Sequence, residues 1–177
     1  MNGLSKHNKA KDASQTATGS HLAQLTGRWA AAIVVLVFLA AALPLILSDD
    51  TRGRAAHDAN NYHEPTIRTF QTQWPAPDLT DYASSTAPGY HLGLSLASMS
   101  ISENRIFLRL TGALFTIGLL ITIAFWAGRR LGTLQATLCC LPLVVSMYVF
   151  VSGAYLLPDN AGWWGVLAII LLSLSQR

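Results

Sequence analysis

The chain has 177 residues, 51% hydrophobic and 12% charged, with a formal net charge of +3. Soluble domains carry nearer a quarter charged residues, and here the apolar residues come in long blocks; that excludes an ordinary soluble domain and predicts an all-α, multi-span helical membrane protein. The basic residues are scattered and form no stripe interleaved with aromatics, which excludes nucleic acid as a partner.

Residues 1–27 are polar and hold Lys6, Lys9 and Lys11, which predicts a disordered cytoplasmic tail. A first span is expected at about 29–48, a run of Ala, Val, Leu and Ile broken only by Pro44. Its roughly 19 apolar residues exceed the core of a signal peptide, so it reads as a retained signal anchor.

An outer loop, 49–105, follows. It holds seven of the nine acidic residues of the chain, and loops of this length are usually functional or disordered. One helix is expected over 57–73, with Asp58 at its start, Tyr62, Ile67 and Phe70 on a sparse apolar face, and Pro65 uncomfortable inside it. Trp74-Pro75-Ala76-Pro77 ends that helix, and 81–88 reads as extended or turn. Residues 89–100 are weakly apolar and too short to span. They predict a helix lying at the membrane surface or buried in protein at the boundary.

The second span is expected at about 106–127, entered through Arg105 and Arg109 and stopped by Arg129-Arg130. The third is expected at about 134–157 with a kink at Pro142. Cys139 and Cys140 lie within it, adjacent and without CxxC spacing, and read as small buried hydrophobes. A short loop with Pro158-Asp159-Asn160 leads to a fourth apolar run at about 161–175. Its roughly 15 residues make about 22 Å of helix, against about 30 Å for a full span. Residues 28–177 are therefore expected to be the N-terminal part of a larger transmembrane domain, or a truncated product of one. Lysines and arginines flank the first span and separate the second from the third. This puts the N-terminus in the cytoplasm and the long loop outside an integral membrane protein, expected in a bacterial inner membrane.

The candidate chemistry lies in the loop and at the span ends. Asp58 is a helix cap or solvated charge on one reading. On the other it is a general base for an acceptor hydroxyl, because His57, Tyr62, His63 and Glu64 crowd beside it. His57, His63, Asp58, Glu64, His91 and Asp159 contain enough ligand types for a metal, but HExxH, HxH and CxxC spacings are all missing, so no metal and no cofactor is expected. Asp159 and Asn160 either cap the fourth helix or face the same outer site as Asp58. Arg105 and Arg109 either snorkel to the interface or clamp a lipid phosphate with their guanidinium forks. Tyr90 and Trp74 suit interface anchors.

This order of features resembles the GT-C glycosyltransferases, multi-span enzymes that use polyprenyl-phosphate sugars. Within them it is most similar to the alpha-1,2-glucosyltransferases of the dolichol-linked oligosaccharide pathway and their bacterial relatives. Tyr62-His63-Glu64-Pro65 matches that family's aromatic-His-x-Pro after an acidic pair, and Thr86-Ala87-Pro88-Gly89-Tyr90 matches its Thr-x-Pro-Gly-aromatic turn. Leu108-Arg109 matches its entry to the next span, and Asp159-Asn160-Ala161-Gly162 its polar-acidic step after the third. The resemblance covers about 58–172. The chain departs from it where the acidic pair should stand, reading Asp58-Ala59-Asn60-Asn61.

The resemblance implies sugar transfer from a polyprenyl-phosphate donor to the hydroxyl of a glycan or lipid acceptor, at the outer membrane face. It implies Asp58 as base, Arg105 or Arg109 against the leaving phosphate, and Tyr62, Trp74 and Tyr90 as sugar-stacking or headgroup-anchoring aromatics. His63, Glu64, Asp159 and Asn160 complete the substrate-binding set. Two rivals stand beside it. One is a non-catalytic membrane subunit or truncated remnant whose loop binds a partner or lipid. The other is a small transporter, disfavoured by the scarcity of polar residues at the midplane of the spans.

Overall fold

The computed structural model describes residues 3–80, 82 and 87–175, with side chains from residue 19 onward in those ranges. Every regular element among the described residues is helical.

Helix α1 runs Gly3–Leu47. It thus begins well before the first span, and residues 3–27, expected as a disordered tail, are helical where described. No proline interrupts the chain before Pro44, so nothing stops the apolar helix from propagating backward. Ala30, Val34, Phe38, Ala42 and Ile46 recur every fourth residue and are all fully buried, forming one ridge along the helix. The remaining faces carry exposed Trp29, Leu36 and Leu47; a helix apolar on every side suits lipid rather than water. Its end comes just past Pro44, where the Ser48 N–H bonds the Pro44 carbonyl at 3.0 Å and Asp49 takes a left-handed φ of 49°, the conformation that commonly terminates helices.

The ridge packs on helix α5, Arg105–Leu131. The two cross at glycines. A Cβ on Gly128 would fall 2.8 Å from the Gly27 Cα, so only small residues permit this approach. The Thr26 hydroxyl also donates to the Gly128 carbonyl at 2.9 Å. Asn104 caps α5, its Oδ1 accepting from the Ile106 N–H at 2.7 Å.

Between α1 and α5 lie three short helices and a wide turn: α2 (Arg54–Asp58), a π turn (Ala59–His63), α3 (Glu64–Gln73) and α4 (Gly89–Ser100). The single helix expected over 57–73 therefore starts three residues earlier and contains a π turn. That turn comes directly before Pro65, which sits at the start of α3, where its missing N–H is tolerated. Ile67 and Leu94 belong to one buried cluster together with Phe38, Leu108 and Leu156; α3 and α4 pack on each other and α4 on α5.

After α5 come α6 (Thr133–Val145), α7 (Met147–Ala154) and α8 (Asp159–Ser175). The third span is not kinked at Pro142, which lies inside α6 with the helix continuing past it. The break falls at Ser146, whose extended backbone (ψ 130°) separates α6 from α7 at a bend of 69°. Two helical segments, Gly19–Leu47 and Arg105–Leu131, are long and apolar enough to cross a membrane, and a third crossing arises if the bent pair counts as one. The fourth expected span, α8, is a shorter apolar helix of 17 residues.

Candidate functional site at the loop end of the bundle

The C-terminus of α1, the N-termini of α5 and α8, and the loop helices supply all the candidate residues. They form two groups.

The first group is ionic. Arg105 lies between two carboxylates, with its Nε 2.7 Å from Glu64 Oε2 and its Nη1 3.9 Å from Asp49 Oδ2. Arg68, one turn after Glu64, approaches the other Glu64 oxygen at 3.3 Å and donates to the Glu103 carbonyl at 2.6 Å. Arg109 is fully buried, which excludes snorkelling for it. Its Nη2 lies 3.3 Å from Asp49 Oδ1 and donates to the Asp50 carbonyl at 3.1 Å, while its guanidinium carbon stands 5.2 Å from the Tyr155 ring centroid. Its Nε and Nη1 have no hydrogen-bond partner, so the fork keeps two donors in hand. Exposed Arg52 forms a separate pair with Asp50 at 2.9 Å and holds that carboxyl down to about 2.

The second group is aromatic and protic. His63 Nδ1 lies 2.9 Å from His91 Nε2, and the rings stack with centroids 5.1 Å apart. The other nitrogen of His91, Nδ1, lies 2.8 Å from the Tyr82 hydroxyl. His91 is fully buried; burial, and then the neighbouring His63, push its imidazole down to about 4. Burial also lowers His63, opposed by the carboxylates of Asp58 and Asp159. Both acids therefore lie within electrostatic reach of one half-buried ring. Asp159 likewise adds to the burial that raises the Tyr90 phenol.

Asp58 precedes the π turn, is exposed, and makes no capping hydrogen bond through its side chain. Its expected role as a helix cap is thus not what the geometry shows. The π turn bears on its position. Five α-helical residues at about 100° each would leave His63 about 140° away from Asp58, whereas a turn closed from i to i+5 brings the fifth residue back toward the same face. Tyr62 is 60% exposed and meets the His57 ring edge-on at 6.1 Å. Asn61 donates to the His57 carbonyl at 2.8 Å.

Tyr90 is buried, which removes it as an interface anchor, and its hydroxyl has no hydrogen-bond partner. Trp74 is half-buried and donates from Nε1 to Ser95 at 3.0 Å. Asp159 opens α8 but accepts from the Ser152 hydroxyl at 3.1 Å; the N–H groups of Ala161 and Gly162 instead find the Pro158 carbonyl. Asn160 is buried and bridges elements, donating to Thr116 Oγ1 at 2.6 Å and to the Val149 carbonyl at 2.7 Å.

Among the described residues, no three His, Cys, Asp or Glu side chains converge to hold a metal ion. Sequence reasoning missed Asp49, Tyr82, Ser152 and Thr116. For Asp49 a signal existed: an acid just past one span and an arginine just inside the next are complementary charges at one membrane boundary.

The fold and this clustering define the chain as a helical bundle with two membrane-length apolar helices and a polar site at one end. No protein-family model, curated protein or solved structure matches it.

Proposed function

We propose that the chain belongs to a membrane glycosyltransferase of the GT-C type. It would move a sugar from a polyprenyl-phosphate carrier to a glycan or lipid hydroxyl at the outer face of a bacterial inner membrane. The observation that carries this reading is the fully buried Arg109 at the entry of α5, held by Asp49 yet with two guanidinium donors that have no hydrogen-bond partner. An exposed, uncapped Asp58 is free to take the acceptor proton. The acceptor oxygen then attacks the anomeric carbon, and the bond from that carbon to the phosphate oxygen breaks with its electron pair. The two unpartnered donors of Arg109 suit the charge that develops on the leaving lipid phosphate. Asp49 and Glu64 hold the Arg109 and Arg105 guanidiniums in place, and exposed Tyr62 offers a face for sugar stacking.

The same ion pairs favour a second reading. Arg105 already engages two carboxylates within the chain, as a purely structural network would, so a non-catalytic subunit whose loop binds a partner or lipid is the rival. Reconstitution into vesicles separates the two. Labelled polyprenyl-phosphate glucose should yield transferred glucose, and labelled uridine-diphosphate glucose should yield none. Transfer from neither donor supports the non-catalytic subunit.

A further inference from the structure

We infer that residues 133–175 do not cross the membrane: α6, α7 and α8 form a re-entrant hairpin that enters and leaves on the side of Arg129-Arg130 and turns at mid-depth, as a floor beneath Arg109. This goes beyond the glycosyltransferase reading and does not depend on it.

The depth scale comes from α1 and α5, which run antiparallel. Asp49 meets Arg105 and Arg109 at one end, and Gly27 meets Gly128 at the other. From Arg105 to Gly128 is about 35 Å of helix, close to the roughly 30 Å of a hydrocarbon core, and Thr116 lies about half-way along it. Phe38 of α1 marks the same depth, because a Cβ on Gly153 would meet the Phe38 ring at 2.7 Å and Thr116 Oγ1 at 2.8 Å.

Helix α6 starts at the Gly128 end, where the Thr133 hydroxyl donates to the Thr26 carbonyl at 3.2 Å. Its 13 residues rise only about 20 Å, which brings Val145 level with Phe38 and no further. The chain then bends by 69°, and α7 stays at that depth. The Phe150 ring stands 6.3 Å from the Phe38 ring, and Gly153 packs between Phe38 and Thr116. Helix α8 begins there too, with Asn160 Nδ2 donating to Thr116 Oγ1 at 2.6 Å. Four residues on, Trp164 Nε1 donates to Thr122 at 3.1 Å, and a Cβ on Gly118 would meet the Trp164 ring at 2.7 Å. So α8 runs along α5 toward Gly128, back the way α6 came.

The turn is built for this depth. Non-helical backbone inside a membrane requires cover by protein, and Tyr155, Leu156 and Pro158 are buried. Ser152 donates to Asp159 at 3.1 Å, and Asn160 also donates to the Val149 carbonyl at 2.7 Å. Asp159 itself is exposed; an ionisable group at such depth faces a polar interior and not lipid. The turn also supports the arginine site from below. The Tyr155 ring lies 5.2 Å from the Arg109 guanidinium carbon, and a Cβ on Gly112, one turn past Arg109, would meet Leu156 at 3.6 Å.

The end of α8 separates a re-entrant hairpin from a crossing. A crossing would put Asp159 at the outer interface, and Ser173 would then lie about 21 Å below it, still inside a core of about 30 Å. The re-entrant path puts Ser173 about 20 Å past mid-depth, beyond the half-thickness of about 15 Å and in water on the Arg130 side. The test labels the full chain with a sulfonated, membrane-impermeant maleimide in sealed right-side-out and inverted vesicles. Thr51→Cys, Arg130→Cys, Tyr148→Cys and Ser173→Cys each replace an exposed side chain. The wild type, whose Cys139 and Cys140 lie inside α6, is the blank, and Thr51→Cys and Arg130→Cys mark the two faces. Ser173→Cys should react in the orientation where Arg130→Cys reacts, with labelling lost in the other, and Tyr148→Cys should react in neither until detergent is added. Ser173→Cys silent in both orientations, or reactive on the Thr51 face, overturns the hairpin. So does Tyr148→Cys reacting on the Thr51 face. Sugar transfer is not part of the readout, so each result stands whether or not the glycosyltransferase reading does.

Discussion

Arg109, fully buried at the entry of α5, lies 3.3 Å from the carboxylate of Asp49, which ends α1. The pair ties the end of one membrane-length helix to the start of another across the intervening loop. Removing one member of a buried pair leaves an uncompensated charge, at about 3–5 kcal/mol, while exposed pairs are worth about 1 or less. Asp49 is 39% exposed, which sets the expectation between these limits. Asp49→Asn should lower stability by about 1–3 kcal/mol in thermal unfolding in micelles, and moderate salt should change the wild type little. An unfolding temperature unmoved by Asp49→Asn assigns no structural role to the pair.

The crossing of α1 and α5 sets a second expectation. A methyl on Gly128 would meet the Gly27 Cα at 2.8 Å and the Thr26 carbonyl oxygen at 2.9 Å, both backbone atoms that cannot swing aside. Gly128→Ala should cost about 1–3 kcal/mol by overpacking. Gly165→Ala, where a Cβ meets nothing within 4 Å, should be close to neutral. Comparison of their unfolding temperatures checks the crossing geometry.

The fold reads legibly in part of the sequence. The long apolar runs of α1 and α5 and the short helix at 89–100 follow from composition and length alone, because burial in lipid demands little more than apolar residues and an unbroken backbone. The break at Ser146 does not: Pro142 carries the stronger sequence signal, yet its ring fits the helix, and the bend forms where the backbone turns extended. The site was half legible. Asp58, His63, Glu64, Arg105, Arg109 and Asp159 stand out by residue type at span boundaries. The pairing of the arginines with Asp49, of Asp159 with Ser152 and of His91 with Tyr82 depends on how helices cross in space, which local pattern does not encode.

Stability should depend on pH through the histidine pair. His91 titrates near 6.5 when unfolded and is pushed down to about 4 in the fold, and His63 is lowered as well. Below the unfolded value the unfolded chain binds more protons than the native one, so stability falls as pH falls. The contribution is fully present above about 6.5 and is lost as pH drops toward about 4. Asp50 and Asp78, both lowered from 3.8, act with the same sign only below that window. Unfolding temperatures measured from pH 7 to 4 should fall in the wild type, and fall less in His91→Gln.

Asn160 sets a further test, because its amide joins α8 to Thr116 on α5 and to the Val149 carbonyl on α7. Asn160→Leu and Thr116→Val each break the shared bond, so their effects should not add. A double-mutant cycle should show coupling of about 1 kcal/mol, and additive losses would contradict the bridge.

The most direct measurement is sugar transfer by Asp58→Asn. Asp58 is exposed and caps nothing, so the substitution should leave folding within about 0.5 kcal/mol. In vesicles supplied with labelled polyprenyl-phosphate glucose and octyl glucoside, the wild type should transfer glucose and Asp58→Asn should lose roughly a hundredfold or more of that rate. Equal transfer by the two would contradict the assignment of Asp58 as the base.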